Sequence, residues 1–153
     1  MFGAWIITKG YHNPRLLCDR NDVSIISKGQ TMKVAVLGAS PNPERYSNKA
    51  IRMLLQHKHE VTPVNPAQST IEGLPVAANL ESLPTGIHTI TVYVSADIST
   101  NLLNPMIAAR PSRVIFNPGA ENPVLAKALE SAGIHAVEAC TLVLLSTGTF
   151  ESA

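Results

Sequence analysis

The chain reads as an α/β domain built on a doubly wound, mostly parallel sheet. Three observations predict it. From Lys33 onward, apolar β-rich runs alternate with stretches of helical periodicity, the pattern of βαβ units winding a sheet between layers of helices. Thr89-Ile90-Thr91-Val92-Tyr93-Val94 is β-branched and apolar almost throughout, as an internal strand covered on both faces should be. The 153 residues, 45% of them hydrophobic, suffice for a single globular domain with an adequate core.

The elements follow in order. Met1 to Thr31 precede the first strand, and their apolar patch at Phe2 to Ile7 has no basic residue before it and no small-residue cleavage site closely after it, so it does not read as a signal peptide. With Met32 directly ahead of the first strand, residues 1–31 read as an N-terminal extension, disordered or non-native, and the domain as residues 32–153. A native intact mass beginning at Met1 would overturn a start at Met32. Lys33-Val34-Ala35-Val36-Leu37 is the first strand. Ser47, with Asn48, is the N-cap of a first helix in which Ala50, Ile51, Leu54 and Leu55 recur at helical spacing, running to about Lys58. Val61-Thr62-Pro63-Val64 is a short second strand. Ile71 to Pro84, interrupted by Gly73, Pro75 and Pro84, reads as a long loop with at most one short strand or helical turn, of the kind that lies over a ligand.

Thr89 to Val94 is expected at the centre of the sheet. Leu102, Leu103, Met106 and Ile107 mark a helix that Pro105 kinks or restarts and Pro111 ends. Arg113-Val114-Ile115-Phe116 is the next strand. Leu125, Ala128, Leu129 and Ala132 give the next helix, capped by Asn122, begun by Pro123 and stopped by Gly133. Ile134 to Val137 is a last parallel strand, and Thr141 to Leu145 an apolar run that periodicity assigns to either a closing helix or an edge strand.

Composition excludes several classes. Lys+Arg 12 against Asp+Glu 11 gives a formal net charge of +1 with no basic stripe and few aromatics, which removes the footprint of a nucleic-acid binder. No apolar stretch approaches the roughly 20 residues of a membrane-spanning helix. Cys18 and Cys140 lie far apart and outside any C-x-x-C pattern, which fits a reducing cytoplasmic setting and offers no zinc site. His57-Lys58-His59 reads as a solvated helix end, because residues at i and i+2 point apart on a helix and cations suit its C-terminus. His88 and His135 take no role. Cys140 has no neighbouring Lys, Arg or His in sequence to activate it and reads as a small buried hydrophobe rather than a reactive thiol.

In an open parallel sheet, ligands bind beyond the carboxyl ends of the strands where the strand order reverses. Four segments end strands: Gly38-Ala39-Ser40, Val64-Asn65-Pro66, Ser95-Ala96-Asp97 and Asn117-Pro118-Gly119-Ala120-Glu121-Asn122. All four should line one crevice, and the first is a strand, a glycine turn and a helix start, as at the opening of a nucleotide pocket. The turn is not G-x-G-x-x-G, and the second strand ends in Asn65-Pro66 where a nicotinamide enzyme carries an acidic residue, so NAD is disfavoured. Glu121 is expected to support the following helix dipole or a ligand hydroxyl rather than to act as a general acid.

From Met32 to Phe150 the sequence resembles the small stand-alone CoA-binding proteins, whose Rossmann-like domain also forms the CoA-binding part of succinyl-CoA synthetase α subunits. The residues that carry this are Val36-Leu37-Gly38-Ala39-Ser40, Tyr46-Ser47, Pro63-Val64-Asn65-Pro66, Ile71-Glu72-Gly73 with Leu80-Glu81-Ser82-Leu83-Pro84, and Phe116-Asn117-Pro118-Gly119-Ala120-Glu121-Asn122, in matching order and spacing. The resemblance implies CoA or an acyl-CoA across the strand ends. Gly38, Ala39, Ser40 and Ser47 would lie near phosphate, with Tyr46 also among the binding residues, Asn65 and Pro66 near adenosine, and Ser95, Asn117, Pro118, Gly119, Glu121 and Asn122 closing the pocket. Many relatives carry basic residues where this chain has Pro41, Ala67 and Ser95-Ala96, and the nearest cations, Arg45 and Lys49, do not match the motif. The phosphate-accepting His of the synthetases belongs to a second domain for which this chain has no room. The expectation is therefore non-catalytic binding of a small nucleotide ligand, as sensor, carrier or accessory subunit, with a second copy or an enzyme subunit as partner. Its rivals are an NAD(P)-type enzyme and a protein-interaction module that has lost its nucleotide. Gly38→Val is expected to abolish binding while leaving the fold largely intact.

Overall fold

A computed structural model of the chain describes residues 30–153. The expectations placed on Phe2 to Ile7, on Cys18 and on the tail through residue 29 lie outside them. Thr31–Glu151 with Ala153 forms one compact unit. Its sheet consists of β1 (Lys33–Leu37), β2 (Glu60–Val64), β5 (Thr89–Val92), β6 (Arg113–Phe116) and β7 (His135–Glu138). All neighbours pair in parallel, in the order β2-β1-β5-β6-β7, so β5 is central as its composition predicts.

Side chains alternate across a strand, and that alternation divides the core in two. Val34, Val36 and Ile115 face α1 (Tyr46–Gln56) and α5 (Thr141–Ser146), meeting Ile51, Leu54 and Leu145. Ala35, Leu37, Ile90, Val92, Val114 and Phe116 face the opposite way, toward Met106 of α3 (Leu103–Ala109) and Leu125 and Leu129 of α4 (Pro123–Ser131). Helices therefore cover both faces. α4 begins as its sequence dictates, with the Asn122 side chain accepting a hydrogen bond from the Leu125 amide at 3.1 Å, and Gly133 follows it at φ +85°.

Several local expectations are corrected. Ser47 does not cap α1; Arg45 occupies the N-cap without a side-chain hydrogen bond, and Asn48 lies inside the helix. The Asn48 amide is spent elsewhere, donating to the Ser40 carbonyl at 2.9 Å and to Glu72 at 3.1 Å while its oxygen accepts from Arg52. The 71–84 segment holds more structure than a loop: β3 (Thr70–Ile71) and β4 (Leu74–Pro75) form an antiparallel ribbon, and a 3-10 turn spans Leu80–Ser82. Glu72 and Gly73, both at positive φ, make the two-residue connection such a ribbon requires. The helix after β5 is preceded by α2 (Ala96–Ser99) and a 3-10 turn, Thr100–Leu102, that the sequence did not announce. Pro105 sits in the first turn of α3, where no helical hydrogen bond is lost, so it starts the helix rather than kinking it.

Thr141 to Leu145 resolves to a helix. His59 is buried rather than solvated, because Lys58 turns the chain at φ +69° and drives the next ring inward. There its Nδ1 accepts from the Met32 amide at 3.2 Å and the ring packs 5.1 Å from that of Phe150.

Candidate functional site

The strand order reverses between β1 and β5, and a crevice opens beyond their carboxyl ends. Gly38 forms its floor at φ +87°. A Cβ there would lie 2.8 Å from Val94 Cγ1 and 3.2 Å from the Tyr93 carbonyl carbon, so glycine is demanded by the close approach of the chain leaving β5. Gly38 lines the crevice, but the backbone amides of its turn are not free donors. The Gly38 and Ala39 amides both donate to the Val64 carbonyl at 3.2 Å, and the Ala39 methyl is buried in the core.

The free donors stand one turn further on. With no side chain capping α1, the Tyr46 and Ser47 amides and the Ser47 hydroxyl have no partner among the described residues. Unpaired amides at the positive end of a helix dipole are an anion site. Arg45 lines the same space, together with Gly38, Pro118 and Gly119, in a recess of about 140 Å³.

Lobes extend from this recess in two directions. One, of about 270 Å³, is walled by Val64, Pro66, Leu80, Ile98 and Leu102, and shares Gly38 with the recess; Glu81 is its one charged lining residue among the described residues. The other, also about 270 Å³, is formed by Tyr46, Tyr93, Asn117, Pro118, Cys140 and Leu142, and shares Tyr46, Tyr93 and Pro118 with the recess. The three spaces adjoin through these shared residues and together make a track across the end of the sheet.

Of the residues singled out by sequence, Gly38, Tyr46, Ser47, Pro66, Asn117, Pro118 and Gly119 line the track. The others, Ser95 apart, tie down the loops around it. Ser40 accepts from the Asn42 amide at 3.1 Å, and Asn65 ties the first loop down by donating to the Ala39 carbonyl at 2.7 Å and accepting from the Ala67 amide at 2.6 Å. Glu121, directly before the N-cap of α4, accepts from the Gly119 amide with both oxygens at 3.0 Å. Asn122 joins α4 to the segment after β5, donating to Ala96, Ser99 and Thr100. Ser95 is exposed, makes no cap hydrogen bond at the start of α2, and lines none of the three spaces.

Asn117 is the keystone of the floor. Its amide donates to Thr91 Oγ1 at 2.6 Å and the Val92 carbonyl at 3.0 Å, and its oxygen accepts from the Thr141 amide at 2.8 Å, locking β5, β6 and α5 together. Next to it the Tyr93 hydroxyl is buried with no hydrogen bond of full geometry. Burial pushes its pKa up to about 12, which the nearby Thr141 and Thr91 hydroxyls offset only in part. Cys140 is half-buried against the second lobe, not enclosed as a core hydrophobe, because the turn after β7 brings it to the strand ends. Tyr93, Leu142, Glu81, Ile98 and Leu102 went unrecognised as lining; only Tyr93, closing the central strand, had a sequence signal. Among the described residues there is no cluster of His, Cys, Asp and Glu able to hold a metal ion, and no helix long and apolar enough to cross a membrane.

Comparison with known proteins places this geometry. A family model described as CoA binding domain matches residues 32–146. A search of curated proteins found no match. Among solved structures, one of a protein described as uncharacterized is 37% identical, covers 78% of this chain and 98% of its own, and superposes with a TM-score of 0.75. A Thermus thermophilus protein is 28% identical over 85% of this chain and 98% of its own, with a TM-score of 0.74. The dinucleotide forming acetyl-coenzyme A synthetase 1 of Ca. Korarchaeum cryptofilum, 21% identical over 68% of this chain and 25% of its own, shares the fold at a TM-score of 0.61.

Proposed function

The chain belongs to the CoA-binding domain family, and on that footing we propose that its crevice binds CoA or an acyl-CoA without catalysing a reaction of its own, as a sensor, carrier or accessory subunit. The observation that carries the reading is the uncapped start of α1. The free Tyr46 and Ser47 amides, the Ser47 hydroxyl and Arg45 converge on one recess between two larger lobes. That is what a diphosphate flanked by a purine and a long arm requires. The Pro66 lobe would hold the adenine, and the lobe of Tyr46, Tyr93 and Leu142 the arm.

A binding role is supported by the state of the ionisable groups. Burial pushes the pKa of the Tyr93 hydroxyl up to about 12, and both Glu121 oxygens accept from the Gly119 amide. A hydroxyl raised that far is not poised to move a proton near neutral pH.

Calorimetric titration with CoA and NAD, on the full chain and on Arg45→Ala, tests the reading. CoA should bind and NAD should not. Arg45→Ala should weaken CoA by about three- to tenfold, the worth of a charge-assisted contact reduced by solvent exposure. No heat with CoA, or tighter binding of NAD, would refute it.

A further inference from the structure

We infer that the adenosine lobe does not reward a 3′-phosphate, and that among CoA-type nucleotides this site favours dephospho-CoA over CoA. The inference rests on the CoA reading above. The two ligands differ by one ribose phosphate, close to dianionic at neutral pH, a group that proteins meet with Arg or Lys.

The basic residues of the described chain are placed elsewhere. Arg45 belongs to the diphosphate recess. Lys49 lies 5.4 Å over the Tyr46 ring, and Arg52 donates to Asn48 Oδ1 and the Pro43 carbonyl, both at 2.9 Å. Lys33 and Arg113 belong to the opposite end of the sheet, the first near Glu60 and the Thr85 carbonyl, the second donating to Thr89 Oγ1 and the Ala153 carbonyl. Lys58, Arg110 and Lys127 line none of the three spaces of the track.

What the adenosine lobe does present is a carboxylate. Glu81 is exposed on the 3-10 turn Leu80–Ser82, which is anchored where Asn79 Oδ1 accepts from the Ser82 amide at 3.0 Å and hydroxyl at 2.8 Å. A phosphate added on this side of the ligand meets a like charge and, among the described residues, no counter-charge. At a solvated rim such a pair shifts affinity by about two- to fivefold, and salt reduces it.

The test is titration of the full chain with dephospho-CoA and CoA at low and at roughly physiological ionic strength, repeated on Glu81→Gln and Glu81→Lys, with thermal melting to verify that each variant is folded. Wild type should bind dephospho-CoA about two- to fivefold more tightly, with the gap narrowing in salt. Glu81→Gln should bring the two ligands close to equality, and Glu81→Lys should reverse the order. Equal wild-type affinities, a wild-type preference for CoA, or a ratio unmoved by Glu81→Lys would overturn the inference while leaving CoA binding in place. Binding of neither ligand would overturn the CoA reading and this inference with it.

Discussion

Replacing Gly38 by alanine adds one methyl group, and the structure says where it goes. It points at the chain leaving β5, 2.8 Å from Val94 Cγ1 and 3.3 Å from the Val94 amide nitrogen, and not into the open crevice. Valine is stiff about χ1 and cannot swing aside, so the backbone must give, at an overpacking cost of about 1–3 kcal/mol. The left-handed backbone at φ +87° adds about 1–2 kcal/mol for a residue with a Cβ. Together these come to about 2–5 kcal/mol, a fall in Tm of about 8–20 °C for a domain of this size. Gly133→Ala is the control, since φ is +85° there and nothing lies within 4 Å of the added Cβ. It should show the backbone strain alone, about 1–2 kcal/mol. Urea unfolding of both variants separates the two costs. If Gly38→Ala is no less stable than Gly133→Ala, the clash with β5 is refuted. The same geometry corrects the expectation that Gly38→Val would spare the fold: a branched side chain at this position disrupts the β1–β5 junction before it touches a ligand.

Two further outcomes follow from buried groups. Asn117→Leu removes three hydrogen bonds and leaves the Thr141 amide and the Thr91 hydroxyl short of partners, so it should lower stability by about 2–4 kcal/mol in urea unfolding; a loss under about 0.5 kcal/mol would show that Asn117 does not hold the floor. For His59, burial holds the pKa below its ordinary 6.5, and the Glu151 carboxylate offsets this in part. The unfolded chain therefore binds more protons in that interval, so stability is full above about pH 6.5 and falls as pH drops through it toward the lower folded value. Burial lowers His88 in the same direction. The urea midpoint should accordingly be lower at about pH 5 than at about pH 7.5, with a smaller difference in His59→Gln; a midpoint that does not move over this range would refute the burial argument.

The sequence by itself determined the layered α/β architecture, the central place of β5, the caps of α4 and the end of the sheet at which the crevice opens. These are encoded in signals a few residues long: an apolar run, a period, an Asn-Pro start and a glycine stop. Tertiary structure alone decided the state of each polar group. The Gly38 and Ala39 amides sit in a turn that looks built for phosphate, yet Val64, remote in sequence, takes both. Ser47 resembles a cap, but Asn48 is drawn to Ser40 and Glu72, and the start of α1 is left without a side-chain cap. His59 reads as solvated until Phe150 folds over it. Whether a donor is free depends on which distant atom reaches it first, and that partner is chosen by the packing of the whole sheet rather than by its neighbours in the chain.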